Sequence, residues 1–183
     1  MKTVILRFGF IIFFVFPFSV LGEDFTFAYI SLADDPHYET QRRYTGLKFK
    51  QFSPPIYGVR TALRENRILG RSLGISFKLL EKSAATTDGI VKIIRNLKTR
   101  SGVRAFLLDL PSDAMKTIMR RVRDQSIIFF NFRNRDNELR NKDCVSNLYH
   151  TIPSYRMLTD SLAQYLFKKR WKKILILRGP LKF

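Results

Sequence analysis

Along the chain, hydrophobic positions switch between short unbroken runs and a helical spacing, and each switch predicts a change of element. Thr26–Ser31 (Thr-Phe-Ala-Tyr-Ile-Ser) is β-branched and aromatic and reads as a first strand, closed by Asp34, Asp35 and Pro36. From His37 to Gln51 the chain is polar and basic with no clear period. Ser53 and Pro54 then offer a helix start, with Gly70 as its stop, a buried face of Val59, Ala62 and Leu63, and Asn66 as an interruption. Ile75–Glu81 is strand-like. Thr87–Lys98 places Ile90, Ile93, Ile94 and Leu97 on one helix face and ends at Gly102. Ala105–Leu108 is a continuous apolar strand, and the helix after Ser112 repeats the spacing with Met115, Ile118, Met119 and Val122. Ile127–Phe130 is another apolar strand, 131–147 a long surface connection, and Leu148–Ile152 a brief strand broken by Pro153. Ser154 caps a helix with Leu158, Leu162, Tyr165 and Leu166, after which Ile174–Leu177 reads as a sixth strand. Runs without polar alternation, separated by helices, predict a parallel sheet covered on both faces, an α/β fold with right-handed crossovers.

The first residues are set apart from this rhythm. Lys2 and Arg7 precede an apolar run from Phe8 to Leu21, followed by Gly22, Glu23 and Asp24, the order of a secretory signal peptide. The run is shorter than the ~20 residues that span a bilayer, and Pro17 lies within it, so residues 1–22 are expected to be removed. No stable membrane insertion is expected afterwards. Taking away Lys2 and Arg7 lowers the formal charge from +18 to +16. An exported chain is unsuited to chromosomal nucleic acid, which leaves a basic outer surface, or an exported module that binds anionic polymer or lipid headgroups. The 45% hydrophobic content excludes an intrinsically disordered chain. Cys144 is the single cysteine and His37 and His150 the two histidines, so neither a disulfide scaffold nor a Cys/His zinc site can be assembled.

In open parallel sheets, ligands sit outside the carboxyl ends of strands, where helix N-termini offer unpaired amides. This selects the loops 34–38, 109–112 and 131–135, and within them Tyr38, Asp109, Leu110, Pro111, Ser112, Asn131, Arg133, Asn134 and Arg135 as candidate ligand-binding residues. Ser112 reads either as a hydroxyl for a ligand carboxylate or as a helix N-cap. Arg133 and Arg135 read either as anion partners or as a solvated loop, and Tyr38 either as a stacking cover or as a half-buried aromatic. Asp34-Asp35 and Asp109 resemble the carboxylate set of a phospho-acceptor receiver domain, but an additional βα unit and the export signal count against that reading. No His-Glu-Xaa-Xaa-His, Walker or Gly-Xaa-Gly-Xaa-Xaa-Gly motif occurs, so no catalytic residue, cofactor or metal site is assigned and the chain reads as non-enzymatic.

Seven segments in series carry a resemblance: Ala33-Asp34-Asp35-Pro36 with Tyr38; Tyr44-Thr45-Gly46-Leu47; Gly70-Arg71-Ser72-Leu73-Gly74; Phe106 to Pro111; Asp143-Cys144 with Asn147-Leu148; His150 to Ser154; and Ala163 to Leu166. With the export signal, they make the chain similar to periplasmic solute-binding proteins of the branched-chain amino acid, type I clamshell kind. Among these it resembles most the substrate-binding protein of ABC transporters linked to pyrroloquinoline-quinone-dependent alcohol dehydrogenase systems. The resemblance implies a ligand-binding lobe over residues 23–147, and over residues 148–183 a crossover with the first helix and strand of a truncated second lobe. It further implies capture of a small-molecule solute in the periplasm and delivery to the transporter's permease subunits. Ser112 falls where relatives hold a ligand carboxylate, while Arg133 and Arg135 replace small or hydroxylated residues.

Overall fold

A computed structural model describes residues 23–38, 40–42, 48–50 and 53–177. Residues 1–22, expected from sequence to be a signal peptide, and Tyr44 to Leu47 of the resemblance lie outside these residues. Five parallel strands form one sheet: β1 (Glu23–Leu32), β4 (Ile75–Ala84), β5 (Ala105–Asp109), β6 (Ile128–Asn131) and β7 (Leu148–His150). Their spatial order is β4-β1-β5-β6-β7, so the second parallel strand in the chain lies outside the first. This is one of the two common doubly wound orders, and it creates a topological switch point between β1 and β5. The fold is α/β, with helices α1 (Ile56–Glu65), α2 (Arg67–Ser72), α3 (Thr87–Ser101), α4 (Ser112–Arg121) and α5 (Tyr155–Lys168) flanking or following the strands.

One sheet face carries the core. Ala28 and Ile30 of β1, Phe106 and Leu108 of β5 and Phe129 of β6 are fully buried against Ile90, Val91 and Ile94 of α3 and Met115 and Ile118 of α4. The α3 stripe forms because its apolar residues recur once per turn, Thr86 caps its start by accepting from the Gly89 N–H, and Gly102 ends it at φ 65°. The opposite face is only partly covered. α2 packs on β4, but Phe130 is half-buried and Tyr149 is 54% exposed, so the expected cover on both faces stops short of β6 and β7.

Three further differences from the sequence reading have physical causes. The basic stretch after His37 contains an antiparallel pair, β2 (Thr40–Arg42) and β3 (Lys48–Lys50). The helix expected as one element breaks at Asn66, whose side chain bonds back to the Ala62 carbonyl, and its start is at Pro55 without a side-chain cap from Ser53. Ile174–Leu177 has no ladder partner among the described residues and is not a strand; the four side chains stand 55–85% exposed. A strand needs a neighbour for its backbone groups, and none of the described strands lies beside it. Ser154, by contrast, caps α5 as read, accepting from the Met157 N–H.

Candidate functional site

Register builds the site. At the carboxyl end of the sheet Ser31 lies opposite both Ser83 and Asp109, and one step earlier on the same face Tyr29 lies opposite Glu81 and Leu107. The next turn of chain, 33–38, folds back over this row through Asp34 at φ 55°, a left-handed conformation that aspartate tolerates. It brings Asp35 and Tyr38 to the end of β5. Arg133, just past β6, reaches the same point from the other side of the switch.

These groups form one hydrogen-bonded network around Asp109, which is 1% exposed. The Tyr29 hydroxyl donates to Asp109 Oδ2 at 2.5 Å, and the Tyr38 hydroxyl donates to Oδ1 at 2.6 Å. Arg133 donates to Asp109 Oδ1 at 3.3 Å and to Asp35 at 2.5 and 3.3 Å, with its guanidinium 5.2 Å from the Tyr38 ring centre. Phe132 stacks on the Tyr29 ring at 5.9 Å. A buried carboxylate is tolerated when its lone pairs are met by donors and its charge by a cation, and both conditions hold here. Burial pushes the Tyr29 and Tyr38 hydroxyls far up from their ordinary values, and their bonds to Asp109 add to it, so both remain protonated donors. Burial acts to raise the Asp35 carboxyl, yet the Arg133 hydrogen bond and charge together with the His37 N–H hold it below the usual range.

The loop carrying Arg133 is fixed by Asn131, which is fully buried. Its Oδ1 accepts from the backbone N–H of Arg133 at 3.3 Å and of Asn134 at 2.8 Å. That sets the amide orientation, so Nδ2 donates to the Asn134 carbonyl and faces His150 Nδ1 at 2.8 Å. His150 Nδ1 is therefore an acceptor and the ring is neutral. Burial and the nearby Arg140 keep the imidazole below its ordinary value in agreement with this. Asn134 ties the loop to the Leu110 carbonyl at 3.4 Å, and Arg135 and Arg140 donate to the carbonyls of Pro153 and Ile152 at 3.2 and 2.6 Å.

Ser112 does not cap α4: Pro111 stands at the N-cap position, and the Ser112 hydroxyl donates to Asp136. Lys116 joins the same carboxylate at 2.9 Å, with Glu138 at 2.5 Å. The Ser112 hydroxyl, its bonding hydrogen directed at Asp136, fastens α4 to the 131–138 loop.

A cleft of about 500 Å³ opens over the ends of β4, β1 and β5. Tyr29, Ser31, Tyr38 and Asp109, Lys82 and Ser83 of β4, and Pro54 and Ile56 at the start of α1 line it. Asp34, Asp35 and Glu81 stand at its rim, where Glu81 is held by a bidentate pair with Arg60 at 2.6 and 2.8 Å. Of the residues selected from sequence, Tyr38 and Asp109 line the cleft. Leu110, Pro111, Ser112, Asn131, Arg133, Asn134 and Arg135 are not among its lining residues, although Arg133 bonds to Asp109 and Asp35 and Asn131 holds the Arg133 loop. Tyr29, Ser31, Lys82 and Ser83 were not selected; the alternation of β1 offered Tyr29 and Ser31, whereas Ser83 is brought in by register alone. Among the described residues no three His, Cys, Asp or Glu side chains gather in a group able to hold a metal ion, and the carboxylates of Asp35 and Asp109 share a guanidinium instead.

The fold and site together define a doubly wound α/β domain with a polar, aromatic-walled cleft at its switch point. Compared with family models, curated proteins and solved structures, the chain gives no match.

Proposed function

We propose that this chain is the ligand-recognising part of a non-catalytic, exported solute-binding protein of the type I clamshell kind, serving an ABC transport system. One observation carries the reading: a cleft of about 500 Å³ at the switch point of a parallel sheet, within the ~300–1,000 Å³ range of small-ligand sites, whose tyrosine walls are locked in place by a buried carboxylate. Two immobilised hydroxyaromatic rings, the Ser31 and Ser83 hydroxyls and Lys82 suit a small polar solute, which binds and leaves without chemical change. The secretory character of residues 1–22 supports a periplasmic location, and the permease subunits of the transporter are the expected recipients of the solute.

Thermal unfolding against a library of small polar solutes, paired with cell fractionation, tests this. The expected result is a saturable rise in Tm with at least one solute class. A ligand at a hundred times its Kd adds ~2.7 kcal/mol, about 5–10 °C for a chain of this size. The rise should disappear in Tyr38→Ala, and the protein should fractionate with the periplasm. A cytoplasmic product, or solute stabilisation that survives Tyr38→Ala unchanged, overturns the proposal.

A further inference from the structure

From the last turn of α5 onward the chain reads Phe167-Lys-Lys-Arg-Trp-Lys-Lys-Ile-Leu-Ile-Leu177, with Lys168, Lys169, Arg170, Lys172 and Lys173 set around Trp171. No acidic residue follows Asp160, and Asp160 itself pairs with Arg156 at 3.8 Å. Lys169 lies 5.6 Å from the Tyr165 ring centre, while Lys168, Arg170, Lys172 and Lys173 enter no ion pair among the described residues. Apolar side chains are as exposed as these cations: Phe167 at 86%, Trp171 at 59%, and Leu175, Ile176 and Leu177 at 83–85%. Phe167 and Trp171 flank a groove of about 460 Å³ rimmed by Lys168, Arg170 and Lys172. α5 buries none of its residues, so the stripe of Leu158, Leu162 and Tyr165 leads openly into this segment.

We propose that Phe167–Leu177 is a docking surface for an anionic lipid bilayer, attached peripherally. The charge pattern decides between partners. A nucleic acid or acidic polymer would satisfy the cations and leave Ile174–Leu177 in water. An apolar protein face would cover the run and strip water from five unmatched cations. An anionic bilayer meets both, because the cations sit among headgroups while the apolar run and the indole ring enter the boundary beneath them. α5 has 14 residues, short of the ~20 that cross a bilayer, and no described helix is long and apolar enough to do so, so the proposed contact is an interfacial one made by Phe167–Leu177 itself. This surface is separate from the cleft.

Trp171 is the only tryptophan, so its fluorescence reports this segment directly. The full chain is titrated with vesicles of phosphatidylcholine alone and of phosphatidylcholine with an equal share of phosphatidylglycerol. A blue shift of Trp171 is expected with the anionic vesicles only, weakening steeply as salt rises through ~0.1 M. Lys172→Gln with Lys173→Gln should weaken partitioning by about fivefold per cation removed. Ile176→Asp should abolish the shift while leaving the circular dichroism unchanged, since Ile176 is exposed. Equal shifts on both vesicle types, no shift on either, or variants that bind like the parent chain overturn the proposal. So does a concentration-dependent dimer that shifts Trp171 without vesicles, which would make a second copy the occupant.

Discussion

Arg133→Met tests the network that shapes the cleft. The substitution keeps a side chain of comparable reach but withdraws the guanidinium shared by Asp35 and Asp109, whose side chains are 8% and 1% exposed. At an effective dielectric constant near 20, each charge contact at ~4 Å is worth about 4 kcal/mol, and dehydration of the groups offsets part of that. Removing one partner from a buried ion pair costs ~3–5 kcal/mol, a large share of the ~5–15 kcal/mol that holds a domain together. The loss should depend on pH in a direction set by Asp35. With Arg133 present its folded pKa is lowered, so its contribution is present above the unfolded value of ~3.9 and disappears as pH falls through the folded value. Without Arg133, burial becomes the leading influence and raises the folded pKa above the unfolded one. The protonated acid then fits the site, and stability is regained as pH falls. Urea unfolding followed by far-ultraviolet circular dichroism should show a loss of about 3–5 kcal/mol near pH 7 that shrinks toward about pH 4.5. A loss below ~1 kcal/mol, or one of equal size at both pH values, would refute the reasoning.

Two further outcomes follow from the loop behind the site. Because the native His150 imidazole is held below its ordinary ~6.5, the folded chain binds fewer protons there than the unfolded chain. Stability from this group is complete above that value and lost as pH falls through the folded pKa; His150→Gln, which keeps an acceptor oxygen for Asn131, should flatten this part of the profile, and a nuclear magnetic resonance titration placing the His150 pKa above ~6.5 would contradict the Asn131 orientation. Ser112→Ala should cost ~1–2 kcal/mol in urea unfolding by releasing α4 from Asp136, with solute affinity by calorimetry unchanged; a tenfold loss of affinity would return Ser112 to the site.

How much of this was legible depended on how local the cause was. The α3 stripe and its Gly102 stop were readable because both are written within one stretch of chain. The β2–β3 pair was not, since Thr40–Arg42 and Lys48–Lys50 carry no apolar alternation and are joined by backbone pairing. Ile174–Leu177 misled for the opposite reason: its composition suits a strand, but a ladder needs a neighbour. At the site, the strand-end rule found Tyr38 and Asp109, which are defined by their own element's terminus. Tyr29 and Ser83 meet them only through the register of β1 against β5 and β4, a tertiary fact. Ser112, Arg133 and Arg135 were recognised as polar loop residues with chemistry to offer, yet their partners, Asp136, Asp35 with Asp109, and the Pro153 carbonyl, come from other loops.

The formal charge of +18 divides along the same line. Arg60, Lys116 and Arg133 each face carboxylates and are structural: they seat α1 on β4, α4 on the 131–138 loop, and the 33–38 turn on β5 and β6. Their positive charge is cancelled locally, so it contributes little to the field that a distant anion senses. Among the described residues the cations at the end of α5 enter no ion pair, and their neighbours along the chain are exposed apolar side chains, not acids. Net charge therefore says little about the cleft, where Asp34, Asp35 and Asp109 outnumber the cations that reach them. It says more about the far end of the chain, where among the described residues no acid cancels the charge.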